Sequence, residues 1–358
     1  MNKKKLLITG FYVDSYPRHK ILISSLKEVF DAEEANYRGL GTLFFLKNIR
    51  KEIKDKDSIF ILNSSYKFIF LVLYLKIFTN KKIFYDAFIS FYDTFVIDRK
   101  RFSKFSLIAC FIYLLDLIVC WSSDILIFDT EEHKKYFKSK FFISKNKRKV
   151  ILPVSIDLSY LDNICLDNDL PEIFSKDKFN VFFYGTYIPL QGIGCIVEAA
   201  FILKDEENIV FTLLGSGQEK ESILSLAKKY KLSNINFFDS VDYNKLIQYI
   251  EKADVCLGIF GDSNKSKRVI PNKVLECLAK RKIVITGRNL ALERYFKDGE
   301  HLIYTDLANS ESLASKILFV TNNYGKLSNL GNEGRKQVED FFSDKYLINL
   351  IKENFYAK

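Results

Sequence analysis

The 358 residues carry 54 Lys+Arg against 44 Asp+Glu and are 48% hydrophobic, which excludes a disordered or collagen-like chain and suffices for two domains of about 150–200 residues. The basic excess is confined to the first half, where residues 1–157 hold 28 basic and 17 acidic side chains against 26 and 27 in the remainder. No zinc-finger spacing or aromatic-rich RNA-binding consensus accompanies it, so nucleic acid is set aside; an anionic membrane surface, or lysines that merely keep an aromatic-rich surface soluble, are the two readings of that charge.

In chain order, the opening MNKKKLLITGF is too short and too soon interrupted for a signal peptide and reads as a first buried strand over residues 5–11. A loop with Asp14, Ser15 and Pro17 leads into a helix reaching Phe30, and Arg18 reads as a surface residue at its start, or as a cation for a bound anion. Strands at 58–62 and 82–85 bracket an apolar, helix-length segment at 66–78. A more apolar segment follows at 105–121; its 17 residues fall just short of a bilayer span and contain Asp116, so it reads as a buried or interfacial helix. Lys100, Arg101 and Lys104 precede it, basic flanks that suit a peripheral membrane protein.

Between these helices, residues 85–101 gather Asp86, Ser90, Tyr92, Asp93, Asp98 and Arg99 at the end of a strand, where α/β folds place ligands. A strand at 124–129 and a charged helix at 131–138 come next, and His133 in that helix reads as solvated. The three histidines (His19, His133, His301) are unclustered, and the six cysteines show no C-x-x-C pair and read as reduced core residues, so no metal site is expected. Residues 149–157 close the first domain, and an Asp/Asn-rich linker runs through 163–171. The second domain opens with a strand at 180–184 and the turn Gly185-Thr186-Tyr187-Ile188-Pro189-Leu190-Gln191-Gly192, whose glycines let backbone approach a phosphate.

Residues 253–287 carry the densest signal, reading as strand, loop, helix and strand, one βαβ unit. Pro271 suits a first helical turn, and Asn272 and Lys273 place an amide and a cation where free backbone N–H groups already favour an anion. One turn on, Glu276 has two oxygens with which to accept two hydroxyl hydrogens. Phosphate beside a diol suggests a nucleotide and its ribose; capping and charge balance of a helix is the plain alternative.

This stretch resembles the donor-binding segment of GT-B glycosyltransferases, specifically the retaining glycosyltransferase family 4, on Ala253-Asp254, Pro271-Asn272-Lys273, Glu276 and Lys282 through Gly287. The resemblance implies an α/β chain of GT-B architecture, with two facing Rossmann-like domains and a C-terminal helix crossing back to the first. It divides the chain into an acceptor-binding domain at 1–157, a nucleotide-sugar-binding domain at 158–340 and a returning helix at 341–358, where the spacing of Phe341, Tyr346, Leu347, Leu350 and Ile351 suits packing.

It further implies transfer of a hexosyl group from a nucleotide-sugar to a hydroxyl with retention, without a cofactor or an obligatory metal. The donor-binding residues would be Gly185, Thr186, Gln191, Arg268, Asn272, Lys273 and Glu276, with backbone around 238–241 for the base. Asp86 and then Asp93 are the catalytic candidates beside the reacting sugar, with helix capping the alternative role for each. Three departures stand out: the first loop lacks a glycine pair, Thr186 and Gln191 occupy positions where the family carries Arg and Lys, and Arg268 stands for the first of two glutamates spaced eight apart. A glycan or lipid-linked acceptor, as in bacterial surface polysaccharide synthesis, and a cytoplasmic location on the inner face of the membrane complete the expectation. The alternative is a non-catalytic sugar-nucleotide binder or scaffold in a glycan assembly complex.

Overall fold

The computed structural model describes residues 3–14, 16–40, 42–62, 68–165, 167 and 170–356. Short apolar runs such as SIFIL and ILIF form strands buried along their whole length, the pattern of a parallel sheet covered by helices on both faces. Two units result, residues 1–155 with 344–358, and residues 156–343.

The first unit holds β1 (Lys5–Gly10), β2 (Asp31–Asn36), β3 (Ser58–Leu62), β4 (Lys82–Asp86), β5 (Ile125–Phe128) and β6 (Arg148–Ile151), in the order β2-β1-β3-β4-β5-β6. Strand β2, DAEEAN, has no apolar alternation. It becomes a strand by adding in parallel to β1, from Lys5 opposite Asp31 to Gly10 opposite Asn36, at a sheet edge where charged side chains remain in water.

The second unit holds β7 (Phe179–Tyr184), β8 (Ile209–Leu214), β9 (Ile235–Phe238), β10 (Val255–Leu257), β11 (Ile283–Gly287) and β12 (Ile303–Thr305), in the order β12-β11-β10-β7-β8-β9. All pairings in both sheets are parallel. The direction of winding reverses between β7 and β10, and in such sheets the crevice beyond the carboxyl ends of those two strands is the ligand position.

The last helix, Asp344–Tyr356, crosses back to the first unit and packs on the helix Pro17–Val29. It buries Leu347, Ile351 and Phe355 in the core that Phe60 and Phe84 share, and the Lys4 N–H donates to the Tyr356 hydroxyl at 2.8 Å. Phe341 does not join that packing as its spacing suggested; its ring lies 5.7 Å from Tyr295 in the second unit. The 105–121 segment forms the helix Leu107–Ser122, whose Ser106 cap accepts from the Ala109 N–H. Only Ala109, Asp116, Val119 and Cys120 of this helix are fully buried. No helix among the described residues is long and apolar enough to cross a membrane.

Candidate functional site

In the second unit, β10 runs into a loop that ends at Pro271, which flanks the helix Asn272–Ala279 in an extended conformation, one position earlier than a first-turn proline. The side chain of Lys273 turns back toward β7. Its Nζ donates to Gln191 Oε1 at 2.6 Å and lies 3.6 Å from the centroid of the Phe183 ring. Gly185 is required at this point: its φ is +146°, and a Cβ there would stand 2.9 Å from Lys273 Nζ. Gly192, with φ +65°, brings the β7 loop so close to Gly261 that a Cβ would meet the Gly261 nitrogen at 2.3 Å. The Phe260 N–H donates to the Gln191 carbonyl at 2.9 Å across the same contact. Gln191 is thereby held at backbone and side chain together.

Lys273 is only 6% exposed. Burial pushes its ammonium well below the ordinary lysine value, against the pull of Cys277 and Glu276. Glu276, one turn further on, is 3% exposed and accepts from the Tyr184 hydroxyl at 2.5 Å and the Tyr243 hydroxyl at 3.0 Å. Burial raises its carboxyl, while the two tyrosines and Lys273 act to lower it. Glu276 does accept two hydroxyl hydrogens, as its position suggested, but both come from the protein. Tyr184 closes β7, and Tyr243 opens the helix Tyr243–Lys252 and stacks on Tyr160 with ring centroids 6.4 Å apart.

Gly185, Gln191, Lys273 and Glu276 are therefore gathered around the ends of β7 and the helix that follows β10. Thr186 is exposed, Arg268 is half-buried on the loop before Pro271 with its N–H bonded to the Lys265 carbonyl at 3.0 Å, and Asn272 is half-buried at the start of the helix. In the 238–241 segment, the Phe238 carbonyl accepts from the Gly215 N–H at 2.9 Å. Tyr184 and Tyr243 were not singled out from the sequence; a tyrosine directly before Gly185 at a strand end was the available signal for the first.

The electrostatics carry an expected result. An anion beside Nζ would raise the lysine value again, so a diphosphate bound there is expected to take up protons at any pH between the lysine values of the free protein and the complex, and to bind more weakly as pH rises through the latter. Calorimetric titration of UDP in buffers of different ionisation enthalpy measures that uptake. It is expected in the wild type and absent in Lys273→Met; a wild type that takes up no proton contradicts the assignment.

The first unit is organised by a buried ion pair. Arg18 lies in the first turn of the helix Pro17–Val29 and is buried, where a surface arginine was expected. Its Nη2 bonds Asp86 Oδ1 at 2.7 Å, its Nε bonds Asp86 Oδ2 at 3.1 Å, and its Nη1 donates to the Leu152 carbonyl at 3.0 Å. The guanidinium also lies over the Phe88 ring. Asp86 thus spends both oxygens on Arg18, an ion-pair placement in place of one open to a reacting sugar. His133, expected in solvent, is buried with Nδ1 2.7 Å from Asp129 Oδ1. Burial alone would raise the Asp129 carboxyl, but His133 and Arg18 hold it below the usual range.

Asp93 is buried at the start of the short helix Asp93–Asp98, with its N–H donating to Ser90 Oγ at 3.0 Å. Beside it stands a carboxylate first noticed only for interrupting the apolar segment. Asp116 accepts from Ser90 Oγ at 2.7 Å and from the N–H groups of Tyr92 and Phe91 at 2.9 and 3.2 Å. Burial lifts it to about 7 despite those bonds, with Asp93 adding to the rise.

Two six-stranded parallel sheets with interleaved helices and a last helix returning to the first unit define the GT-B class. Residues 168–337 match the family described as Glycosyl transferases group 1, a match that lies within the second unit. An uncharacterized glycosyltransferase of Methanocaldococcus jannaschii is 21% identical over 202 residues, 56% of this chain and 50% of that protein, so the chain matches about half of that relative's length. Among solved structures, sucrose-phosphate synthase of Thermosynechococcus elongatus is 13% identical with a TM-score of 0.72, covering 99% of this chain and 100% of that one. HepE of Anabaena in complex with UDP and glucose is 12% identical with a TM-score of 0.75, again covering 99% and 100%. At these identities the likeness is one of fold.

Proposed function

We propose that the chain is a retaining hexosyltransferase that moves a sugar from a nucleotide-sugar to a hydroxyl of a glycan or lipid-linked acceptor, in bacterial surface polysaccharide or lipid-linked glycan synthesis at the cytoplasmic face of the membrane. The observation that carries this reading is the placement of Lys273 and Glu276 on successive turns of a helix that begins at the winding reversal of the matched domain. Lys273 and the helix N-terminus are suited to the leaving diphosphate, whose charge must be met by fixed dipoles and cations. Glu276 is suited to the ribose diol, for which Tyr243 and Tyr184 give up or share their bonds to it. One protein of this fold supports the donor class, since HepE is described in complex with UDP and with UDP-glucose.

In the proposed step the bond from the anomeric carbon to the diphosphate breaks. The acceptor oxygen bonds to the same face, and its proton passes to the departing phosphate. No protein nucleophile, cofactor or obligatory metal takes part. The test is incubation of UDP- and GDP-hexoses with membrane lipid extracts, reading the anomeric configuration of the product by NMR with and without EDTA. A retained anomer formed at the same rate in EDTA is expected; an inverted product, or activity abolished by the chelator, contradicts the mechanism.

A second reading, a non-catalytic sugar-nucleotide binder, is favoured by one observation: Gln191, where a diphosphate clamp was expected, is bonded to Lys273. It predicts nucleotide binding without turnover in any lipid extract.

A further inference from the structure

The helix Leu107–Ser122 turns an apolar face outward. Phe105 is 98% exposed and Leu107 90%, and Phe111, Leu114 and Trp121 are also open to solvent. Leu107, Phe111, Leu114 and Trp121 recur at spacings of four, three and seven, which puts them on one side of a helix about 24 Å long. Phe142 extends this surface: it is 74% exposed and adopts φ +50°, a left-handed conformation that bulky residues avoid. Its neighbour Phe141 is tied to the helix by the Tyr113 ring, 5.5 Å away, and by the Trp121 Nε1–H bond to the Phe141 carbonyl at 2.9 Å.

The charge around this face is predominantly positive, and Asp124, just past the helix, is paired with Lys76. Between residues 99 and 123 the cations are Arg99, Lys100, Arg101 and Lys104, and the single acid is Asp116, which is buried on the opposite side against Ser90 and Tyr92. Lys100, Arg101 and Lys104 are exposed just ahead of the helix. A second copy of this chain would bring like charges to a shared seam, whereas an anionic bilayer offers acyl chains to the apolar face and phosphates to the cations.

We propose that this face is an interfacial docking surface for an anionic phospholipid membrane, with the helix lying in the headgroup layer and Phe105, Leu107 and Phe142 inserted. It rests on the membrane-proximal acceptor reading, and its test does not touch the nucleotide site, so the two fail separately.

The chain carries a built-in reporter, because Trp121 is its one tryptophan. The full-length protein is mixed with phosphatidylcholine vesicles with and without phosphatidylglycerol, reading flotation and Trp121 emission, with UDP binding measured in parallel. Binding with a blue shift is expected on the anionic vesicles, weakening as salt is raised. The double variant Leu107→Ser, Phe111→Ser and the triple variant Lys100→Glu, Arg101→Glu, Lys104→Glu are each expected to lose at least about tenfold in partitioning while UDP binding stays unchanged. Undiminished flotation of either folded variant, or equal binding to neutral vesicles, overturns the proposal. A concentration-dependent dimer that the serine variant dissolves, with no vesicle binding, overturns it in favour of a self-interface.

Discussion

Arg18→Met is expected to destabilise the first unit by about 3–5 kcal/mol, because it leaves Asp86 buried without its counter-charge. The cost exceeds that of a surface ion pair because neither partner retains water as an alternative. Both Asp86 oxygens lose their donor, and the Leu152 carbonyl loses Arg18 Nη1. Asp129 sharpens the effect, since Arg18 also helps to hold that carboxylate charged. The double variant Arg18→Met, Asp86→Leu removes the orphaned charge and is expected to recover most of the loss. Denaturant unfolding monitored by far-ultraviolet circular dichroism measures both. A single variant within about 1 kcal/mol of wild type, the range of an exposed pair, would show that the two groups are not buried together as described.

The second large effect is on ligand binding. If Glu276 holds the ribose as proposed, Glu276→Gln is expected to weaken nucleoside diphosphate binding by at least about a hundredfold, since each hydrogen bond to a charged acceptor contributes about 1.5–3 kcal/mol and the proposed contact has two. The amide retains the volume and one acceptor oxygen, so Tyr184 and Tyr243 keep a partner between them. The fold is expected to persist, with the same far-ultraviolet spectrum. Tyr243→Phe separates the two demands on the carboxylate. Removing that hydroxyl frees Glu276 Oε1, and nucleotide affinity is expected to stay level or rise. Isothermal titration of the three proteins settles the point, and a Glu276→Gln variant that binds as wild type rules out the ribose assignment.

What was legible in the sequence was local. Runs such as SIFIL announce buried strands because a doubly covered parallel strand needs apolar residues on both faces. Lys273 and Glu276 could be placed on one helix because three residues make nearly one turn. Their partners were not legible, since Tyr184 lies 92 residues from Glu276 in the chain and Gln191 lies 82 from Lys273. The same distance in sequence hid the Arg18–Asp86 pair, 68 residues apart, and made each charge look solvated or catalytic alone. Strand β2 was invisible because its pairing with β1, and not its composition, makes it a strand. Phe341 misled because it continues the apolar spacing of the last helix in sequence, while the chain passes between units just beyond it, at Ser343.

The central claim is that the second unit holds a nucleoside diphosphate on Lys273 and Glu276, and a thermal-shift screen against UDP, GDP, dTDP, ADP and CMP tests it most directly. A ligand at a hundred times its dissociation constant stabilises the folded state by about 2.7 kcal/mol, which is readily seen as a rise in melting temperature. One base is expected to give that shift in the wild type and to lose it in Glu276→Gln. A folded wild type that responds to none of the five would contradict the account.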